Sequence, residues 1–162
     1  MSEQAASTPS GAEPGDVVVE GSAKGFAQEI AVGGHRLVAD EPVSAGGTAT
    51  GPGPYDLLLA ALGSCTSMTV SFYARRRKWP LESVRVRLRH AKIYATDCQS
   101  CETKEGMIDR IEREIELVGS LDDEQRRFLL DIANKCPVHR TLTSEIDIRT
   151  RLVSPGPSDG RN

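Results

Sequence analysis

The chain has 162 residues, 38% of them hydrophobic and 27% charged, the balance of one soluble domain able to bury a core without disulfide staples. Its net charge is 20 − 23 = −3 and only 4% of its residues are aromatic, which excludes a strongly basic nucleic-acid or anionic-membrane surface and a base-stacking platform. No apolar run approaches the roughly 20 residues needed to cross a bilayer, and the opening MSEQAASTPSGAEPGD has no basic segment followed by an apolar one, so a cytoplasmic location is expected.

Residues 1–14 and 154–162 are rich in small residues, Pro and Gly and read as disordered tails around one domain at 15–153. Asp16–Ala23, Phe26–Val32 and His35–Ala39 read as short strands, with turns at Lys24-Gly25 and Gly33-Gly34. The glycine-rich Val43–Gly53 is a loop. Pro54 then opens a long helix. Proline suits its first position, Asp56 suits the positive end of the helix dipole, and the basic run Arg75–Lys78 suits its last turn. Leu57–Phe72 carries no charge, and a helix apolar all round must be covered on every side. A domain of this size can hardly do that alone, so a partner subunit is expected.

Ser83–Ala95 and Met107–Val118 both alternate. Val84, Val86 and Leu88 oppose Arg85, Arg87 and Arg89; Ile111, Ile115 and Leu117 oppose Glu112, Glu114 and Glu116. The second segment also fits a helix, through Ile108, Ile111 and Ile115. The charges favour a hairpin that sets an arginine stripe beside a glutamate stripe. Ser120–Lys135 is expected as a helix capped by Ser120, and Ser144–Leu152 alternates as a final strand. The order βββ-α-ββ-α-β defines an α+β domain with helices packed on antiparallel sheet.

In a reducing cytosol, four cysteines are expected to be reactive, metal-binding or buried rather than paired in disulfides. Cys65 lies among Ala60, Ala61, Gly63 and Ser64. A mid-helix glycine costs about 1 kcal/mol, which suggests that something approaches closely there; a plain buried thiol is the simpler alternative. Cys136 precedes Pro137 and so stands at the start of a short helical turn, where the N-terminus favours a thiolate, with Lys135, His139 and Arg140 nearby. The alternative is an inert thiol at a helix boundary. The loop Asp97-Cys98-Gln99-Ser100-Cys101 could hold two metal ligands, take an accessory redox role or be incidental. A closed zinc site usually needs four ligands, and no second such pair exists. No cofactor motif is present.

The stretches GPGPYDLLLAALGSCTSMTVSFYARRRKWPLESVRVRL and ANKCPVHRTLTSEIDI together resemble the OsmC/Ohr family of osmotically inducible and organic-hydroperoxide-resistance proteins. The likeness is closest to a subgroup with Asp-Cys-x-x-Cys in the hairpin loop, some members of which are fused to hydrolases. The resemblance implies an intertwined homodimer, with two long cysteine-bearing helices between antiparallel sheets built from both chains. It implies a thiol peroxidase acting on organic hydroperoxides or hydrogen peroxide. In that reading Cys65 matches the peroxidatic cysteine and Cys136 the resolving one, with a dithiol, possibly on a lipoylated protein, as reductant. The alternative is a redox-sensing or binding module with little turnover, partnered by a separate hydrolase. Peroxidase members carry Glu directly after the proline that starts the helix. Here that position is Tyr55, and the acid, Asp56, is one residue later, rotated by about 100° around the helix. Arg36 is the candidate for the family's thiolate-holding arginine.

Overall fold

The computed structural model describes residues 14–154. The two expected tails therefore lie outside the described residues, apart from Pro14 and Ser154. Among these residues two small antiparallel sheets and three α-helices make up the fold. Strands β1 (Val17–Gly21), β2 (Gln28–Val32) and β3 (His35–Ala39) form a three-stranded meander. The Gly33-Gly34 turn between β2 and β3 has positive φ at both residues, the conformation that glycine adopts without strain. The loop that follows is organised by Asp40, which is 2% exposed. Its carboxylate accepts the backbone N–H and the hydroxyl of both Thr48 and Thr50. Those bonds, the Thr48 hydroxyl first, hold Asp40 far below the usual carboxylate range. The loop then delivers the chain to helix α1 (Pro54–Arg76).

Helix α1 starts as its sequence dictates, with Pro54 at the first position and Asp56 closing a capping box onto the N–H of Gly53 at 3.0 Å. By length and composition α1 is long and apolar enough to cross a membrane, with a mean hydropathy of 1.5. This corrects the expectation that no segment is. Its packing is that of a core helix on one side. Leu62, Thr66, Val70 and Ala74, at four-residue intervals, are buried against the long hairpin of β4 (Leu81–Tyr94) and β5 (Met107–Gly119) and against α2 (Asp123–Ala133). The opposite face, which the sequence requires to be covered, is open in the single chain: Met68 is 70% exposed and Phe72 46%.

The β4–β5 ladder pairs Arg85 with Glu116, Arg87 with Glu114 and Arg89 with Glu112, the register expected from the two stripes. Val84, Ile115 and Leu117 on the inner face meet Val70 and Ala74 of α1 and Leu121, Leu129 and Ala133 at α2, which is the hydrophobic core. The basic end of α1 closes over it, with Arg77 stacked on Phe128 at 4.1 Å from the ring centroid and on Trp79 at 5.2 Å. Helix α2 is capped by Asp122 rather than Ser120. Asp122 accepts from the Gln125 N–H, and Gln125 reaches back to the Asp122 N–H, a reciprocal arrangement that a serine two residues earlier cannot make. Helix α3 (Pro137–Leu142) completes the set.

The expected final strand is absent: residues 144–152 have no regular structure. Alternation alone does not make a strand, because backbone N–H and C=O groups need a neighbouring edge. Among the described residues segment 144–152 pairs with none, which leaves Ile148 81% and Leu152 100% exposed.

The hairpin register is directly testable. Arg87 Nη1 lies 3.2 Å from Glu114 Oε2, with both side chains mostly exposed. Reversing either charge should destabilise the protein and reversing both should restore it, with a coupling of about 0.2–1 kcal/mol in a urea-denaturation double-mutant cycle. No coupling would contradict the pairing.

Candidate active site

Two elements carry the free cysteines, and the packing of α1 on the hairpin brings them together. Gly63 lets the helix down onto β4. A Cβ at that position would stand 2.9 Å from the Leu88 side chain, which is the close approach that a mid-helix glycine suggested. Thr66 then faces inward, and Cys65, one residue back, is half-buried. Cys136 is fully buried and is the N-cap of α3. Pro137 fixes the first helical position, and the Cys136 sulfur accepts the backbone N–H of His139 at 3.4 Å. The same sulfur lies 3.6 Å from Thr66 Oγ1, and the Cys65 side chain is near enough to lower its pKa.

A guanidinium completes the cluster. Arg113 Nη1 donates to Thr66 Oγ1 at 2.9 Å and to the Ala133 carbonyl at 3.3 Å, while Nη2 donates to Asn134 Oδ1 at 2.8 Å. One residue of β5 thus ties α1 to the end of α2. Thr66 Oγ1 accepts from Arg113, and its single proton serves either the Leu62 carbonyl at 2.7 Å or the Cys136 sulfur. Burial pushes the Cys136 thiol up. The His139 N–H, the Thr66 hydroxyl, the Cys65 thiol and the charge of Arg113 together pull it down further, so its pKa falls below the ordinary thiol value. The His139 imidazole is pushed down by burial and then by Arg113, which keeps it neutral near pH 7.

A cavity of about 420 Å³ opens beside this cluster, lined among others by Leu62, Asp109, Ile111, Arg113 and His139. At its rim the His90 Nε2 lies 2.8 Å from Asp109 Oδ1, and Lys92 is 3.4 Å from the same oxygen. The Asp109 pKa is lowered, first by the His90 hydrogen bond. Tyr55 stacks on the His90 ring with centroids 4.2 Å apart, so the residue standing where the resemblance leads one to expect Glu packs against the hairpin.

The other two sequence candidates stand elsewhere. Asp56 spends its carboxylate on the Gly53 N–H. Nine residues before Cys65, it projects about half a turn away from it around α1. Arg36 is on β3, 3.4 Å from Glu29; the guanidinium at the sulfur is that of Arg113. Sequence reading missed Arg113, Thr66 and the His90–Asp109 pair. For Arg113 and His90 a signal existed, since each continues the apolar face of its strand, after Ile115 and Leu117 in one case and after Val84, Val86 and Leu88 in the other. A charge at such a position needs a buried partner.

The other two cysteines, Cys98 and Cys101, form a disulfide with Cα atoms 5.5 Å apart. This departs from the expectation that structural disulfides are disfavoured and fits the redox alternative for this loop, where the spacing places the two thiols within bonding range. Among the described residues no group of three or more His, Cys, Asp or Glu side chains is arranged to hold a metal ion.

Comparison with known proteins places this geometry. No curated protein matches the sequence. Solved structures do. An organic hydroperoxide resistance protein OsmC from Legionella pneumophila superposes with a TM-score of 0.58 at 19% identity, over 82% of this chain and 92% of that one. The organic hydroperoxide resistance protein OhrB of Bacillus subtilis gives 0.56 at 18%, over 82% and 92%. An OsmC-like protein from Mycoplasma pneumoniae gives 0.62 at 18%, over 80% and 87%. At these identities the likeness establishes the fold. The sequence itself matches the model of the OsmC-like proteins over residues 47–151, a span that holds α1, the hairpin and both free cysteines, and the chain belongs to that family.

Proposed function

We propose that the protein is a thiol peroxidase that reduces organic hydroperoxides or hydrogen peroxide through Cys65 and Cys136. The observation that carries this reading is a half-buried thiol, Cys65, next to Thr66, whose hydroxyl lies 3.6 Å from the buried Cys136 sulfur, a thiol whose pKa is lowered. Access supports the roles, since Cys65 is half-buried and Cys136 is fully buried. The ionised pair shares one proton. When that proton passes to Cys136, the Cys65 thiolate attacks the O–O bond, becomes a sulfenic acid and releases an alkoxide, which takes the proton back from Cys136 and leaves as the alcohol. The Cys136 thiolate then attacks the Cys65 sulfur, forms the disulfide and expels hydroxide. A dithiol restores both thiols. The organic part of the hydroperoxide occupies the neighbouring cavity, against Leu62 and Ile111.

We further propose that the active unit is a homodimer. The bare face of α1, with Met68 and Phe72, and the unpaired segment 144–152, with Ile148 and Leu152, are apolar surfaces of one chain that a second copy would cover.

Four outcomes test the peroxidase reading. Purified protein should consume cumene hydroperoxide in the presence of a dithiol, and peptide mass spectrometry should find a Cys65–Cys136 disulfide after peroxide alone. Cys65→Ser should fall to the uncatalysed rate, and Cys136→Ser should carry an over-oxidised Cys65. Full activity in Cys65→Ser refutes the assignment, and absence of turnover in the unsubstituted protein leaves a redox-sensing role as the better account.

Replacing Arg113 by Met removes a positive charge from beside Cys136. Its ionisation, followed as thiolate absorbance in a difference titration against Cys136→Ser, should move to higher pH, and disulfide formation near neutrality should slow by about tenfold or more. An unmoved titration would mean that Arg113 does not hold the thiolate.

Light scattering should give a dimer at micromolar concentration, and Met68→Glu should dissociate or unfold it. A stable monomer of the unsubstituted chain refutes the assembly.

A further inference from the structure

The Cys98–Cys101 disulfide takes no part in the chemistry above. It closes the loop at the tip of the β4–β5 hairpin, between residues three positions apart. As a staple it has little to do, because the shortest closed loops gain least from restricting the unfolded chain. The ends of the loop are also held without it. Tyr94 pairs with Met107, the Ala95 N–H donates to the Gly106 carbonyl at 2.8 Å, and Arg110 Nη2 donates to the Asp97 carbonyl at 3.0 Å. The core is far off. Val84, which packs on it, is 94 − 84 = 10 residues down β4 from Tyr94, about 33 Å along the strand. Cys98 and Cys101 are themselves part-exposed beside the buried Ala95, and the residues around them are open: Gln99, Ser100 and Glu102 are exposed, as are Tyr94 at 64% and Met107 at 53%.

We propose that Cys98–Cys101 is a second thiol–disulfide exchange site, separate from Cys65 and Cys136, and that its substrate is a dithiol. A thiolate of the dithiol attacks one cysteine sulfur, forms a mixed disulfide and expels the other cysteine as a thiolate. The second thiol of the substrate loses its proton to solvent and attacks its own partner sulfur. That closes the substrate's disulfide and releases the remaining cysteine as a thiolate. Two electrons pass to the protein, and both cysteines take up protons from water. A monothiol does not complete the reaction. Its mixed disulfide stands three residues from the freed cysteine, which re-closes the ring before a second molecule arrives. The reverse reaction, with the substrate's disulfide as oxidant, re-forms the Cys98–Cys101 bond.

The test uses the full chain carrying Cys65→Ser and Cys136→Ser, with the unsubstituted chain read in parallel at the same peptide, so that failure here is distinguishable from failure of the peroxidase reading. Folded protein is exposed to dithiothreitol or to glutathione at equal thiol concentration and quenched by alkylation, and the peptide holding Cys98 and Cys101 is weighed. Dithiothreitol should open the pair at least about tenfold faster than glutathione. The Cys98→Ser/Cys101→Ser protein should unfold within about 2 °C of its parent. A pair that stays closed in dithiothreitol, equal opening by the two reagents, or a fall of about 8 °C or more in the unfolding midpoint would overturn the proposal.

Discussion

The arrangement depends on one guanidinium. Arg113 lies on the inner face of β5 among apolar neighbours, where an unpaired charge would be costly. Its donors are used on Thr66 of α1, the Ala133 carbonyl and Asn134 at the end of α2. Each bond serves two ends at once. It satisfies a half-buried cation, and it fixes three segments whose meeting point holds Cys136. The carbonyl it takes belongs to the last turn of α2, where the C-terminal C=O groups lack helical partners. The charge therefore helps to end α2 at the place where the chain must turn into Cys136-Pro137.

The thiol cluster is a consequence of that join. Cys136 caps α3, so its sulfur receives an N–H that the helix would otherwise leave free, and Thr66 presents a hydroxyl from the other side. The Thr66 contact does not survive a shift of α1 along the hairpin. The helix is held in register by Gly63 against Leu88, by the four-residue stripe down to Ala74 and by Tyr55 on His90. The packing that makes the core thus also sets the distance between sulfurs carried by segments 71 residues apart (136 − 65).

Much of this was legible in the sequence, and the exceptions have a common physical cause. The hairpin register followed from Arg85, Arg87 and Arg89 facing Glu112, Glu114 and Glu116, because alternation and charge pairing are local and redundant. The start of α1 and the α3 turn followed from Pro54, Asp56 and Pro137 for the same reason. Asp122 was missed as a cap because Ser120 satisfies the same composition rule, and only the reciprocal bond with Gln125 separates them. Segment 144–152 has a strand's alternation and no strand, since pairing needs an edge that the pattern does not supply. Arg113 was missed because its meaning lies in Thr66 and Asn134, which are distant in sequence. Arg36 and Asp56 were chosen by position in the chain, and within the single chain they meet Glu29 and the Gly53 N–H.

The electrostatics that favour a Cys136 thiolate also bear on how the pair is reset. Whatever stabilises the thiolate stabilises the reduced form alone, because a disulfide sulfur carries no charge for the His139 N–H, Thr66 and Arg113 to hold. Oxidation therefore discards those interactions and leaves the Arg113 charge without its anion. By mass balance the disulfide is correspondingly easier to reduce, and a thiol of lowered pKa is also the better leaving group when an external thiolate attacks Cys65. Access runs in the same direction, since Cys65 is the half-exposed sulfur of the two. In the proposed cycle one cluster of donors would serve both halves: it would keep Cys136 ready to close the bond, and it would make the closed bond easier for a dithiol to open.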